Sequence, residues 1–320
     1  MKVLVTGGAG FIGSNFVRMA VRGDFPEISK VVVLDALTYA GNLDNLNAVS
    51  GEIEFIEGNI CDEGLVRSIT SRVDGLINFA AESHVDRSIL NPNQFLETNF
   101  MGVHSLLEAS KRENGFRFLQ VSTDEVYGSI QEGSWDEMEP LLPNSPYSAS
   151  KASADLLVRS YFKTYGMDTV ITRCSNNYGP YQFPEKIIPY FVTRLLSGKT
   201  VTIYGDGLNS RDWLHVDDHC RGIYGAFTSN RKGEVFNIGG GQELSNLDLT
   251  AKILELLGKT SSEIEFVKDR EGHDFRYSVS HAKAASELNY QPQVSFESGL
   301  QETINWYIEN SEWWQKLIKL

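Results

Sequence analysis

Cysteine is scarce in this chain of 320 residues: there are three, Cys61, Cys174 and Cys220. They lie far apart and are odd in number, which argues against both a disulfide framework and a metal-ligand cluster. Small buried hydrophobes are what they are expected to be, and no metal is expected. Positive charge is also short: lysine and arginine total 29 against 42 acidic residues, a formal net charge of −13. Such a surface repels a phosphate backbone and an anionic membrane, so neither nucleic acid nor membrane is an expected partner. A few placed arginines can still hold a small phosphorylated ligand. No apolar run approaches the roughly 20 residues that cross a bilayer. The first residues read as a strand rather than a charged-then-apolar leader, so a cytoplasmic location is expected.

Apolar material is plentiful, at 41% of residues, which suffices for a large core and excludes a disordered chain. Up to about residue 173, strand-like and helix-like segments alternate, the pattern of a parallel sheet built from βαβ units. Residues 2–6 (KVLVT), 31–34 (VVVL), 53–56 (IEFI), 75–79 (GLINF), 116–121 (FRFLQV) and 169–172 (TVIT) read as strands. Their apolar runs lack strict alternation, as suits strands covered on both faces. Amphipathic stretches at 95–111 and 148–165 read as helices. From residue 174 the texture changes to loop chemistry in 175–184 (SNNYGPYQFP), with helical patterns at 246–257 and 297–308. The expected fold is therefore α/β: a Rossmann-type doubly wound sheet over 1–173, joined by part of 212–240, with a smaller substrate domain over 174–320.

The first strand runs into Gly7, Gly10 and Gly13, spaced Gly-x-x-Gly-x-x-Gly before a helix. Glycines there permit a tight turn and a close backbone approach to a pyrophosphate, which the helix N-terminus then favours. Asp35 ends the second strand, where a carboxylate can accept from both ribose hydroxyls and repel a 2′-phosphate. NAD is therefore expected rather than NADP. Small residues after the third and fourth strands (58–62 and 79–83) leave room for the adenine edge and the nicotinamide ribose.

Tyr147 and Lys151 stand four apart at the start of a helix and so share one face. A tyrosine acting as base near neutrality needs cations beside it to stabilise the phenolate. Thr123, Asp124 and Glu125 follow the fifth strand. From the glycine turn through Arg211-Asp212-Trp213 to residues 236–240, the chain resembles the extended short-chain dehydrogenase/reductase superfamily. Two consecutive acids at 124 and 125 resemble, within it, the nucleotide-diphosphate-glucose 4,6-dehydratases, with dTDP-glucose the implied substrate. Residues 80–88 (AAESHVDRS), 35–42 (DALTYAGN) and 174–184 (CSNNYGPYQFP) carry the same resemblance.

What the resemblance implies is a C4 oxidation by NAD, loss of water across C5–C6 and return of the hydride to C6. Tyr147 would take the O4 proton with Lys151 supporting it and Thr123 holding O4. Glu125 would remove the C5 proton and Asp124 would protonate the departing C6 oxygen. Around the cofactor it implies Phe11, Ile12, Ala36, Leu37, Thr38, Asn59, Ile60, Phe79, Ala80, Ala81, Ser83, Thr98 and Asn177, besides the glycines, Asp35, Tyr147 and Lys151. Around the nucleotide sugar it implies Ser83, His84, Thr123, Asn176, Lys186, Ile187, Thr202, Tyr204, Arg211, Asn246, Arg270 and His273. His84 stays open between a sugar contact and a structural role, and Lys186 and Asn246 between ligand and solvent. The sequence departs from the pattern at Asn59, where relatives carry an aspartate for the adenine amino group, and at Ala36, where many carry lysine. Homodimerisation through 95–111 and 148–165 is implied as well. A nucleotide-sugar 4-epimerase or decarboxylase on the same fold, and a non-catalytic NAD sensor, are the rival readings.

Overall fold

A computed structural model of the chain describes residues 1–111, 115–269 and 274–318. Its strands are β1 (Lys2–Thr6), β2 (Lys30–Asp35), β3 (Glu54–Glu57), β4 (Gly75–Asn78), β5 (Arg117–Thr123), β6 (Thr169–Cys174), β7 (Asn176–Tyr178), β8 (Val201–Tyr204), β9 (Ser210–His215), β10 (Glu234–Ile238), β11 (Glu243–Ser245) and β12 (Ile264–Val267). Seven form one sheet in the order β10-β6-β5-β4-β1-β2-β3, and every pairing in it is parallel. The side-chain period of two sends Val3 and Val5 into one apolar cluster and Leu4 into the other, so both faces are buried. That is why the strands read as unbroken apolar runs.

Strand order reverses at β1: β2 and β3 lie to one side, β4, β5 and β6 to the other. At such a switch point the loops leaving the carboxyl ends of the strands diverge and leave a crevice. Gly7, Asp35, Thr123 and Cys174 all stand at those carboxyl ends.

The expected 95–111 helix is broken into the helix Pro92–Leu96, a π-helical turn Glu97–Gly102 and the helix Val103–Ser110. A π turn admits one extra residue per turn and re-aims a side chain. Here Asn99 accepts from the Glu82 N–H at 2.8 Å and donates to the Glu82 carbonyl at 3.0 Å and to Ser150 Oγ at 2.9 Å. The long helix Pro146–Tyr165 starts with a capping box in which the Ser145 and Ser148 side chains each accept from the other's backbone N–H, and it stops at Gly166.

After residue 174 the chain builds a third apolar cluster around Tyr178, Phe191, Trp213 and Tyr307, with the β11-β9-β7 sheet and the β12-β8 pair. It also sends β10 back to the edge of the large sheet beside β6, with the helix Val216–Thr228 leading into it. The two halves are thus threaded through one another by residues 216–238.

Candidate active site

One cavity of about 770 Å³ lies along the carboxyl ends of the sheet strands and is roofed by the second half of the chain. It starts at the glycine turn. Gly7 has φ +67°, and a Cβ there would sit 2.6 Å from the Ala80 amide nitrogen. Only glycine leaves that gap. The helix Phe11–Arg22 opens at Gly10 with its first N–H groups toward the cavity, and Gly10, Phe11, Ile12 and Gly13 line it. Asp35 holds the loop from below: one oxygen accepts from the Ala9 N–H at 2.9 Å, the other from the Leu37 N–H at 2.8 Å. Burial raises its pKa, and those two bonds oppose the rise. A carboxylate has about four acceptor positions, so two remain for ribose hydroxyls.

Most residues expected to hold the cofactor meet here. Ala36, Thr38, Asn59, Ile60, Phe79, Ala80, Ala81, Ser83, Thr98, Tyr147, Lys151 and Asn177 line the cavity. Leu37 is outside the lining; it has φ +48°, its amide serves Asp35 and its side chain packs on the core. Asn59 turns its carbonyl oxygen onto the Cys61 N–H at 2.9 Å. A glycine cradle, a helix N-terminus and a strand-end carboxylate fit a dinucleotide.

At the carboxyl end of β5 the titratable groups gather. Thr123 is the last strand residue, and the 3₁₀ turn Asp124–Tyr127 follows it at once. Thr123 Oγ1 donates to Asp124 Oδ1 at 3.2 Å and accepts from the Glu125 N–H at 3.3 Å. Asp124 is 3% exposed, and its Oδ2 has no hydrogen-bond partner among the described residues. Burial first, then the charges of Glu125 and Asp212, hold its carboxyl well above the usual carboxylate range. That environment favours the protonated form of Asp124, the form a general acid needs.

Tyr147 and Lys151 face the same space from the helix Pro146–Tyr165. Burial and the charge of Glu125 push the Tyr147 phenol well above its ordinary value. Lys151 donates to the Val121 carbonyl at 2.7 Å and has its own pKa lowered by burial, against the pull of Asp155. The phenol is thus neutral here, and a cation must arrive beside it before it can act as a base.

Of the residues expected at the nucleotide sugar, Ser83, His84, Thr123, Asn176, Lys186, Ile187, Thr202, Tyr204, Arg211 and Asn246 line the cavity. Arg270 and His273 lie outside the described residues. His84 also caps the helix Val85–Leu90, accepting from the Arg87 N–H at 3.4 Å. Lys186 reaches across the cavity to the Ser83 carbonyl at 3.0 Å. Arg211 is fixed by the Ser210, Asp274 and Phe275 carbonyls and stacks 4.5 Å from the Tyr277 ring centroid. Tyr277, Tyr39 and Glu185 also line the cavity and were not singled out from the sequence. Tyr39 donates to Glu185 at 3.0 Å while Arg87 lies 3.7 Å above its ring. Glu185 adjoins Lys186 in an aromatic loop, the one signal that could have marked it.

Fold and cavity together define a Rossmann-type protein of the short-chain dehydrogenase/reductase kind. Within that class, residues 4–303 match the family described as GDP-mannose 4,6 dehydratase, and the chain belongs to it. It is 56% identical over 319 residues to a dTDP-glucose 4,6-dehydratase of Actinoplanes sp., covering 98% of this chain and 100% of that one. The crystal structure of DesIV, a dTDP-glucose 4,6-dehydratase from Streptomyces venezuelae with NAD and TYD bound, superposes with a TM-score of 0.98 at 53% identity, over 99% of this chain and 100% of that one. A UDP-glucose 4-epimerase from Thermotoga maritima, solved with UDP-glucose, shares the fold at TM-score 0.90 but only 32% identity, over 97% of this chain and 100% of that one.

Proposed function

We propose that this chain converts dTDP-glucose to dTDP-4-keto-6-deoxyglucose, as a hydro-lyase that recycles NAD. The observation that carries the reading is the buried Asp124 beside Glu125, its Oδ2 unpartnered among the described residues and its carboxyl biased toward the protonated form: an epimerase removes no hydroxyl and needs no such donor. Full-length identity above 50% to dTDP-glucose 4,6-dehydratases supports the same reaction.

Bound NAD supplies a hydride acceptor for C4, a hydride donor for C6 and a positive ring in the cavity. Tyr147 takes the O4 proton once that charge and Lys151 offset the burial of its phenolate. Thr123 holds O4 through its hydroxyl. The 4-keto group makes the C5 proton acidic, and Glu125 removes it. Asp124 gives its proton to the C6 oxygen, which leaves as water. Opposite roles for adjacent acids need environments that separate their proton affinities, and the deeper burial of Asp124 provides that.

Arg211 and Asn246 hold the nucleotide diphosphate, with Lys186 at the cavity rim. Arg270 and His273 are assigned to the same pocket. The chain acts as a homodimer, joined through the surface where Leu96 (51% exposed), Met101 (53%) and Leu156 (57%) sit on the expected helices.

Incubating the purified protein with dTDP-glucose, and with UDP-glucose and GDP-mannose in parallel, tests the reading by mass spectrometry. Loss of one water from dTDP-glucose is the expected result. Conversion to a 4-epimer of unchanged mass, or no product with NAD supplied, would refute it.

A further inference from the structure

A second set of contacts, outside the chemistry, ties the carboxy-terminal helices to the glycine turn. Tyr181 holds φ +67°, a conformation costly for a bulky aromatic residue unless its surroundings enforce it. Its ring lies 4.4 Å from Trp306 and 5.7 Å from Trp313, which are themselves 5.0 Å apart. On the other side the Arg18 guanidinium stands 4.2 Å from the same ring centroid.

Arg18 belongs to the helix that opens at the glycine turn, and it forms no carboxylate ion pair among the described residues. It donates to the Asn45 carbonyl at 2.8 Å, to Asn15 Oδ1 at 3.0 Å and to Ser14 Oγ at 3.1 Å. Trp313 Nε1 donates to Asn45 Oδ1 at 3.0 Å. Asn45, which is buried, in turn donates to the Ala9 carbonyl inside the glycine turn at 2.9 Å. Ala9 is thus gripped at both ends, by Asp35 at its N–H and by Asn45 together with the Asn42 N–H at its carbonyl. The Tyr307 hydroxyl donates to the Gln182 carbonyl, so the segment after Tyr181 is held by the same helices.

We infer that Arg18, Tyr181, Trp306 and Trp313 form a latch that keeps the substrate half closed over the glycine turn and sets how slowly the dinucleotide leaves. The inference rests on the NAD reading above. Gln182, Phe183 and Pro184 line the cavity directly after Tyr181. A dinucleotide leaving on this side requires that segment to lift, and lifting it separates Tyr181 from Arg18. Moving the helices with it separates Trp313 from Asn45 and loosens the carbonyl grip on Ala9. These four side chains are positioning residues, since none lines the cavity.

The test is stopped-flow release of NADH from the full chain, read by energy transfer from tryptophan during a chase with excess NAD. Arg18→Met and Trp313→Phe should each speed release by about tenfold, the size of one buried cation–π contact or hydrogen bond. Tyr181→Phe keeps the ring and should release at the wild-type rate, while Tyr181→Gly, which also relieves the strained φ, should release fastest. Urea midpoints of the dinucleotide-free variants separate a latch from a collapsed fold: Trp313→Phe should stay near wild type while its release rate rises. If Arg18→Met does not fold, Trp313→Phe decides. Wild-type release rates in the folded variants would overturn the latch and leave the functional reading standing. A wild-type protein that binds no NADH would overturn that reading, and the latch with it.

Discussion

At the scale of single residues, the site works by withholding solvent from groups that water would otherwise ionise. Burial and two neighbouring carboxylates oppose the charge of Asp124 and raise its pKa well above the usual carboxylate range. Asp124→Asn preserves shape but cannot donate a proton to a departing oxygen. It should slow water loss by about 10²–10⁴-fold while C5 proton exchange with solvent continues, measured by deuterium incorporation alongside product formation. Glu125→Gln should abolish that exchange instead. The sign for stability follows from linkage. The folded-state pKa of Asp124 lies above its unfolded value near 3.9, so its stabilising contribution is complete below that value and is lost as pH rises through the raised pKa. Asp124→Asn should therefore be more stable than wild type at pH 8 and gain little at pH 4, a comparison that thermal melts at the two pH values can make. His219 has the reverse sign. Its ring Nδ1 donates to Asn177 Oδ1 at 2.8 Å, and burial pushes its pKa down to about 3. Stability present above pH 6.5 should be lost as pH falls from 6.5 toward 3, and His219→Gln should flatten that limb.

At the scale of elements, two devices place these residues. The first is the glycine turn, where Gly7→Ala introduces both an unfavourable φ and a Cβ 2.6 Å from the Ala80 backbone. About 1–3 kcal/mol of strain is expected, together with loss of dinucleotide binding, seen by melting and by NADH titration. The second lies beneath the helix Pro146–Tyr165, which carries Tyr147 and Lys151. Asp155 on that helix accepts from Arg173 Nε of β6 at 2.9 Å, and Arg173 also donates to the Tyr127 hydroxyl at 2.7 Å. Tyr127 belongs to the Asp124–Tyr127 turn, so one buried guanidinium ties the Lys151 helix to the acid-bearing turn. Removing one partner of a buried pair leaves the other uncompensated. Arg173→Met should cost about 3–5 kcal/mol in urea unfolding, and adding Asp155→Leu should recover part of it. The match of expected and observed elements is close for β1 and for the helix Asn246–Leu256, where apolar periodicity and caps agree. It fails at 95–111, since a π turn follows from the pairing of Asn99 with Glu82 and Ser150 across the fold, which no local periodicity announces.

At the scale of the whole molecule, the cavity exists because the chain crosses between its halves. β10 joins the large sheet while β9 and β11, its neighbours in sequence, belong to the roof. Neither half can part from the other without straining residues 216–238, so closure over the ligand is a local rearrangement of loops such as 181–187. The exposed apolar residues on the helices flanking the site belong to this scale too. For the homodimer proposed above, Leu156→Asp should shift the assembly from dimer toward monomer in sedimentation, because an unpaired charge cannot enter an apolar interface without a large desolvation cost.

The sequence alone determined the sheet class, the glycine turn, Asp35 and the Thr123-Asp124-Glu125 and Tyr147-Lys151 groups. Each of those signals is local: a strand running into a turn, a carboxylate at a strand end, two side chains one helical turn apart. Only the tertiary structure decided that Asp124 is buried among charges that oppose its ionisation, that Lys151 bonds to the Val121 carbonyl, and that Tyr181 bridges Arg18 to the carboxy-terminal tryptophans. Those properties depend on which groups distant in sequence exclude water from one another, and burial and through-space charge leave no periodic trace along the chain.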